Sequence, residues 1–414
     1  MMMKETAVEK NMKRYESYKD SGVEWLGEIP EHWEVRPGFT ILTESKKKNT
    51  GFIEDTVLSL SYGNVIVKPK EKLTGLVPES FETYQLVEPG DIIIRPTDLQ
   101  NDKTSLRTGL AKNEGIITSA YINLRVNKKN DNSFYHYYLY TIDINKVIYG
   151  LGSGLRQNIS FEDFKRFPFP LPPITEQTKI AQFLDDKTTK IDEAIAIKQQ
   201  QIQLLKERKQ ILIHKAVTQG LNPNVTLKDS GMEWIGEIPV GWEVKRLKHC
   251  LNINNGSDYK HIQTDEGYPV IGSGGQFAYA SDYMYDGEVV LLGRKGTIDK
   301  PLYFKGKFWA VDTMFYANAK NGNIVKFLYY LATTLPFSFY STATALPSMT
   351  QGDLNNHPIS RPPIDEQNKI VEYIENGTQK IETAISLKQQ EIEKLKEYKS
   401  SLINGVVTGK VKVC

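Results

Sequence analysis

The sequence predicts an α+β protein: two globular mixed α/β modules joined by two long antiparallel helices in a coiled coil, pseudo-two-fold and near-circular. Three repeated features predict it. DSGVEWLGEIPEHWEV, Asp20 to Val35, returns 209 residues later as DSGMEWIGEIPVGWEV, Asp229 to Val244. PPITEQTKI, from Pro172, returns 190 residues later as PPIDEQNKI, from Pro362. A heptad-like apolar stripe follows each second mark. Two marks used twice in one order describe two copies of a module, and the period is far too long for a solenoid repeat.

Residues 1–17 read as a polar N-terminal extension without the apolar core of a signal peptide. Residues 18–171 form the first module with its opening motif, 172–217 the central long helix and 218–228 a linker. Residues 229–361 form the second module with its opening motif, and 362–414 the C-terminal long helix and tail. In the first module TVLSL at Thr56, DIIIRP at Asp91 and GIITSAYINLRV at Gly115 read as strands, separated by turn-forming Gly, Asn and Asp. SFYHYYLYTIDINKVI, from Ser133, reads as a helix. The second module repeats that order with GEVVLLGR at Gly287, KFWAVDTMFYANA at Lys307 and the helix NIVKFLYYLATTL from Asn323. Opening motif and helix lie 113 residues apart in the first copy and 94 in the second, so the first carries 19 more, placed by this reading in its β-rich front. Duplicates that keep their frame and rewrite one region have rewritten the part that reads a ligand; drift in loops is the plain alternative.

The stripes run Leu184, Ile191, Ile195, Ile202, Leu205, Leu212 and Ile374, Ile381, Ile385, Ile392, Leu395, Leu402. Their spacing is heptad-like and Lys, Glu and Gln surround them. A helix with so narrow a stripe needs a partner. The other copy's helix is the simplest one, with Ile191, Ile195, Ile202, Leu205, Ile381, Ile385, Ile392 and Leu395 as the seam; packing of each helix on its own module is the alternative. Glu176 and Glu366 suit the helix N-termini, and Gly220 and Gly409 offer C-terminal stops. The first helix runs on into the second opening motif, whereas the second ends at VTGKVKVC and the N-terminus supplies ESYKDSG. Neighbouring chain ends follow.

Ordinary hydrophobic and charged fractions and a net charge of +2 fit a soluble protein and hint only weakly at a polyanionic partner. Two cysteines, Cys250 and Cys414, make neither a disulfide framework nor a metal cluster, so a reducing, cytoplasmic setting is expected, with no membrane. The six histidines form no metal-spaced pair. GSGG at Gly272 and GRKGT at Gly293 match no phosphate-loop pattern and read as turns, the second better placed to approach a phosphate. ERK at Glu207 and EYK at Glu397 read as solvated helix faces rather than nuclease residues. Ser160-x-x-Asp163 and Thr350-x-x-Asp353 have the form of capping boxes. The chain reads as a binder without catalytic residues, bound cofactor or metal. Cations and amides in the variable fronts suit phosphates and base edges. Tyr62, Asn64, Arg95, Asn101, Lys103 and Arg107 are the candidates in the first module; Lys260, Gln276, Arg294, Lys295 and Lys300 are those in the second.

The paired DSG-x-EW-x-GEIP-x-x-W motifs, each followed by a variable segment, PP-I-x-EQ and a long helix, resemble the DNA-specificity subunit of type I restriction–modification systems, over about Tyr18 to Lys410. The resemblance implies that the modules are target recognition domains, residues of about 36–168 reading one half of a split, asymmetric site in double-stranded DNA and those of about 245–357 the other. It implies that the helix pair sets the gap and docks two modification (methyltransferase) subunits. It also implies that S-adenosylmethionine binds in those partners and that cleavage belongs to a restriction/translocase subunit. A helix of roughly 30–40 residues, on the order of 45–60 Å, is long enough to hold two readers about one DNA turn apart. A self-sufficient enzyme acting on DNA would need a catalytic motif that is absent from the sequence. A scaffold for protein partners would give a complex without sequence preference on DNA.

Overall fold

The structure, a computed structural model, describes residues 12–69, 71, 81–99, 106–151, 158–337 and 347–413. It divides into two compact units, Met1–Ile197 with Gln390–Cys414, and Lys198–Gln389. Each unit therefore holds one module and a segment of both long helices.

In the first unit the opening motif is a short antiparallel pair, β1 (Tyr18–Asp20) and β2 (Glu28–Pro30). Its DSG turn is self-bonded: the Gly22 N–H donates to the Asp20 carboxylate and the Val23 N–H to Ser21 Oγ. Strand β3 (Glu34–Pro37) pairs with β12 (Pro168–Leu171), so the module enters and leaves through a two-stranded neck. Beyond it lie β4 (Leu42–Glu44), the hairpin β5 (Leu58–Ser61) and β6 (Asn64–Val67), β7 (Gln85–Val87), β8 (Ile92–Ile94), β9 (Thr108–Leu110), β10 (Gly115–Ile117) and β11 (Ile122–Val126). Four of them form a sheet in the order β4-β11-β8-β9. GIITSAYINLRV is thus two strands, broken by the turn at Thr118–Tyr121. Helices α1 (Asn132–Ile144) and α2 (Phe161–Lys165) follow, and Ser160 and Asp163 do form a capping box.

The second unit repeats the plan. Strands β13 (Leu227–Asp229) and β14 (Glu237–Pro239) make the opening pair, and β15 (Glu243–Arg246) with β23 (Pro358–Arg361) the neck. Between them, β16 (Leu251–Asn255), β17 (Gln263–Thr264), β18 (Tyr268–Gly272), β19 (Gly275–Ala280), β20 (Tyr285–Gly293), β21 (Leu302–Ala310) and β22 (Met314–Ala319) form one sheet, ordered β16-β22-β20-β21-β18-β19-β17. Helices α4 (Val325–Ala332) and α5 (Gln351–Asn356) complete the module, α5 starting at the Thr350–Asp353 capping box.

The register exposes a shared four-stranded core. Leu42 pairs with Val126 as Leu251 does with Ala319. Ile92 pairs with Leu124 as Val290 does with Ala317. The offset between copies falls from 209 at Leu42 and Leu251 to 198 at Ile92 and Val290, 193 at Leu124 and Ala317, and 190 at Gln177 and Gln367. Eleven of the first copy's surplus residues therefore lie between β4 and β8 and five in the β8–β9 connection, and three lie after the sheet rather than in the front as expected. The second module adds β18, β19 and β17 to the same core, β18 running parallel to β21.

The second mark opens α3 (Ile174–Gln219) and α6 (Ile364–Val407), 46 and 44 residues, longer than expected. Its glutamine is a latch. Gln177 Nε2 donates to Asn130 Oδ1 and the Pro172 carbonyl, and its Oε1 accepts the Asp131 N–H, the N-cap of α1. Gln367 repeats this with Asn323, Pro362 and the Ile324 N–H. A buried amide with both ends satisfied fixes helix to module in one orientation. The tryptophan ending each opening motif packs against a helix C-terminus: Trp33 beside Gly409, Trp242 beside Gly220. Both glycines have positive φ, 76° and 73°, as a left-handed helix stop requires.

Segments of the two long helices pair within each unit. In the first, Ile191 and Ile195 share a core with Leu395, Leu402 and Ile403, and Lys399 bonds Asp192 at 2.7 Å. In the second, Leu212, Ile213 and Ala216 share a core with Ile370, Val371 and Ile374, and Lys209 bonds Glu382 at 2.6 Å. A side chain on Gly377 would meet Leu212, so numbers rise along one helix as they fall along the other: the pairing is antiparallel. Ile202, Ile381 and Ile392 are also buried, and Leu205 and Ile385 are half-buried. Partly exposed ion pairs contribute less than about 1 kcal/mol each, so the apolar seam, not the bridges, carries the pairing. Near the chain ends the Lys412 N–H donates to the Lys13 carbonyl, and Lys410 Nζ to the carbonyls of Leu26 and Glu28.

Each unit also shields a histidine: His357 is buried, and His136 is half-buried with its Nε2 out of solvent. Burial pushes the His136 and His357 imidazoles down to about 4 from an ordinary 6.5. The unfolded chain takes up these protons near pH 6.5 and the folded chain only near pH 4, so stability is full above that window and falls as pH falls through it. The loss is about 3 kcal/mol per histidine by pH 4, of which about 2 kcal/mol has gone by pH 5. Urea unfolding at pH 7 and pH 5 is expected to show it, and His357→Gln to flatten the slope of the second unit; equal stability at both pH values would refute the assignment.

Candidate nucleic-acid interface

In the first module the candidate residues gather at the β5–β6 tip and the β8–β9 connection. Tyr62 and Asn64 flank the tip glycine, both exposed, and Asn64 Nδ2 donates to the Tyr62 carbonyl. A methyl group on Gly63 would stand 3.6 Å from Leu106 and from the Thr108 carbonyl, so the tip lies against the start of β9. Arg95, half-buried, leaves β8 on the same side, its N–H donating to the Arg107 carbonyl. Asn101 and Lys103 lie outside the described residues.

Arg107 corrects the sequence reading. It is 1% exposed and cannot reach a groove. Its Nη1 donates to the carbonyls of Arg95 and Thr97, its Nη2 to that of Asp98, and its own N–H to the buried Asp143 carboxylate. The planar fork ties down the strand of the connection that leaves β8. Sequence alone could not separate this arginine from Arg95, because both stand in one polar run.

In the second module the GRKGT turn is held from two sides. The N–H groups of Arg294 and Lys295 donate to the Thr313 carbonyl, that of Gly296 to Pro347, and Met349 donates back to Arg294. Lys295 also bridges Ser348. Gly296 faces Ser273 at the β18–β19 tip. Gln276 is exposed just beyond that tip, next to Phe277, whose ring meets Tyr259 at 5.4 Å; Lys260 follows Tyr259 in sequence. Lys300 is exposed on the segment between β20 and β21.

Two features escaped the sequence reading. Phe277 and Tyr279 are 57% and 41% exposed on β19, although alternation along QFAYA marked them as one face. Asn252, exposed, and Asn254 and Asn318, half-buried, form an amide ladder across β16 and β22, with contacts of 3.3–3.4 Å. The period-two spacing of Asn252 and Asn254 was its signal. Such amides offer donors and acceptors in pairs, the pattern that reads base edges. Burial pushes the Cys250 thiol above its ordinary range, which makes it a poor nucleophile. Among the described residues no group of His, Cys, Asp and Glu could hold a metal.

Two modules with one frame and differently built polar faces define a two-headed recognition protein. The chain belongs to the family of the type I restriction modification DNA specificity domain, whose model matches residues 28–207 and again 239–397. It is 24% identical to the putative type I restriction enzyme MjaX specificity subunit of Methanocaldococcus jannaschii, covering 94% of this chain and 96% of that protein. It is 25% identical to the EcoKI specificity subunit of Escherichia coli over 59% of this chain and 54% of that protein. Among solved structures, a chain from a study of type I R-M complex assembly and conformational transition aligns with a TM-score of 0.71 at 14% identity, over 92% of this chain and 98% of that one. The HsdS subunit of Thermoanaerobacter tengcongensis aligns at 0.51 and 15%, again over 92% and 98%. At these identities the structures speak for the fold.

Proposed function

We propose that this chain is the sequence-reading, non-catalytic subunit of a type I restriction–modification complex, each module reading one half of a bipartite, asymmetric site in double-stranded DNA. The observation that carries the reading is the contrast between a duplicated frame and unlike fronts. Neck, latch, motif tryptophan and four sheet strands recur, and each module sets a hairpin parallel beside its sheet, Val57 bridging Ile116 as Val270 does Trp309, but the tips carry unlike residues, Tyr62-Gly63-Asn64 in one copy and Ser273-Gly274-Gly275-Gln276 in the other. Unlike readers on one frame give unlike half-sites.

The helix pair sets the gap and docks two modification subunits. Exposed Leu204, Ile211 and Leu387 on its second-unit segments, 63%, 56% and 54% accessible, support docking of further helices. S-adenosylmethionine and the transferred methyl group belong to those partners, and cleavage to restriction/translocase subunits. No helix among the described residues is long and apolar enough to cross a membrane, and the complex works on cytoplasmic DNA.

The test uses the chain assembled with its modification partner in a gel-shift on random duplexes. A preferred sequence in two separated blocks is expected, and no preference would overturn the reading in favour of a protein scaffold. One helical turn of four residues inserted near Gln200 is expected to lengthen the tolerated gap without changing either block. An unchanged gap would remove the ruler.

A further inference from the structure

The β5–β6 hairpin turns on Tyr62 and Gly63, with φ of 46° and 78°. A two-residue type I′ turn requires positive φ at both positions, and Asn, Asp or Gly normally fill the first. A bulky aromatic there is strained, because its Cβ crowds the backbone. Tyr62 is nevertheless 82% exposed, so burial in its own module does not offset that strain.

The hairpin is held too firmly for the strain to relax. Leu58 and Val65 are buried in a core with Val87, Ile93, Ala111 and Ile117. A side chain on Gly109 would collide with Leu60 and Val65, so β9 presses directly against the hairpin. Leu106 and Asp98, in the connection that meets the tip, also have positive φ, 64° and 59°. Three of the six described non-glycine residues with positive φ thus belong to this one corner. Residues held in sparsely populated backbone conformations cluster at ligand clamps and active sites.

We infer that Tyr62 is a stacking wedge: on DNA binding its ring leaves solvent and packs on a base, or into an opened base step, of the half-site read by the first module. The inference rests on the DNA reading above and deepens it. A two-stranded ribbon fits the major groove, and an aromatic at a narrow tip can reach an unstacked step. Asn64 and Arg95 beside the tip supply an amide for a base edge and a cation for a phosphate. On the hairpin itself the exposed apolar side chains behind the tip are Ile66 and Val67, each 45% exposed.

The variants make strain and stacking separable. Tyr62→Asn creates Asn-Gly, the favoured pair for this turn, and removes the ring. Tyr62→Phe keeps the ring and the strain. Each is assembled with the modification partner, whose modified bases in host DNA give the cognate duplex. Melting temperature, duplex affinity at fixed salt, and fluorescence of 2-aminopurine at each first half-site position are then read. Tyr62→Asn is expected to melt no lower than the parent, to bind about tenfold weaker or worse, and to lose the 2-aminopurine signal of unstacking. Tyr62→Phe is expected to keep both affinity and signal. Parental affinity and signal in Tyr62→Asn would overturn the wedge while leaving the bipartite reading intact. Loss of the modification subunit from the Tyr62→Asn complex would overturn it in favour of a protein contact. A parent complex with no sequence preference would instead remove the DNA reading itself.

Discussion

Exchanging residues 36–168 for the matching segment of a relative with another target is expected to change one block of the methylated sequence and leave the other block and the gap untouched. The cuts fall in the neck, where Arg36 faces Phe169 and Pro168 faces Pro37. The motif tryptophan and Gln177 stay with the frame, but the partners of Gln177, Asn130 and Asp131, travel with the exchanged segment, so the graft must restore the latch. The demanding joint is α1, which belongs to the frame although it lies inside the exchanged segment. Phe134 meets Trp33 edge-on at 6.3 Å, and the Tyr137 hydroxyl donates to Asp185 on α3. Tyr330 occupies the place of Tyr137 in the second copy, near Glu375 in the place of Asp185. A graft that keeps these aromatic positions avoids cavities of the kind that cost about 3–5 kcal/mol. Sequencing of methylated bases in a host carrying the chimera checks the result. A chimera that kept both original blocks, or altered both, would sink the one-module, one-half-site assignment.

The sequence made the frame legible and the readers opaque, for physical reasons. Trp33, Gly220, Gln177 and their counterparts each do a job only one residue type does well: filling a large pocket, adopting a left-handed stop, satisfying both ends of a buried amide. Such positions survive duplication unchanged, so they stand out in a single chain. The four shared sheet strands ask only for apolar, strand-forming residues, which many sequences satisfy. Their repeated order could be read, but their residue-by-residue register could not, because loop insertions shift the offset from 209 to 198 to 193 between them. At the reading faces, composition could not tell an arginine that points outward from one that braces a loop. Tyr62 entered only as one DNA-binding candidate among several; its turn conformation is a backbone property that the letters YG imply only once the hairpin register is known.

Arg107 is where that distinction has its largest consequence. Replacing it with Met keeps the length and volume of the stem but removes the donors to the carbonyls of Arg95, Thr97 and Asp98. The Asp143 bond is made by the backbone N–H of residue 107 and persists, so the substitution isolates the guanidinium. Leaving three carbonyls without this donor set costs about 2–4 kcal/mol, since water can replace part of it at exposed Thr97 and Asp98. The connection then samples conformations that do not present Arg95. Discrimination at the first half-site is expected to fall about tenfold or more, while the second half-site, read by a module with its own core, keeps its discrimination. Arg107→Lys, whose single ammonium cannot span carbonyls on both sides, is expected to fall between parent and Met. Affinity for duplexes mutated in one half-site at a time is the measurement. An equal loss at both halves would mean general unfolding, and unchanged discrimination at the first would mean that the loop reads DNA without its brace.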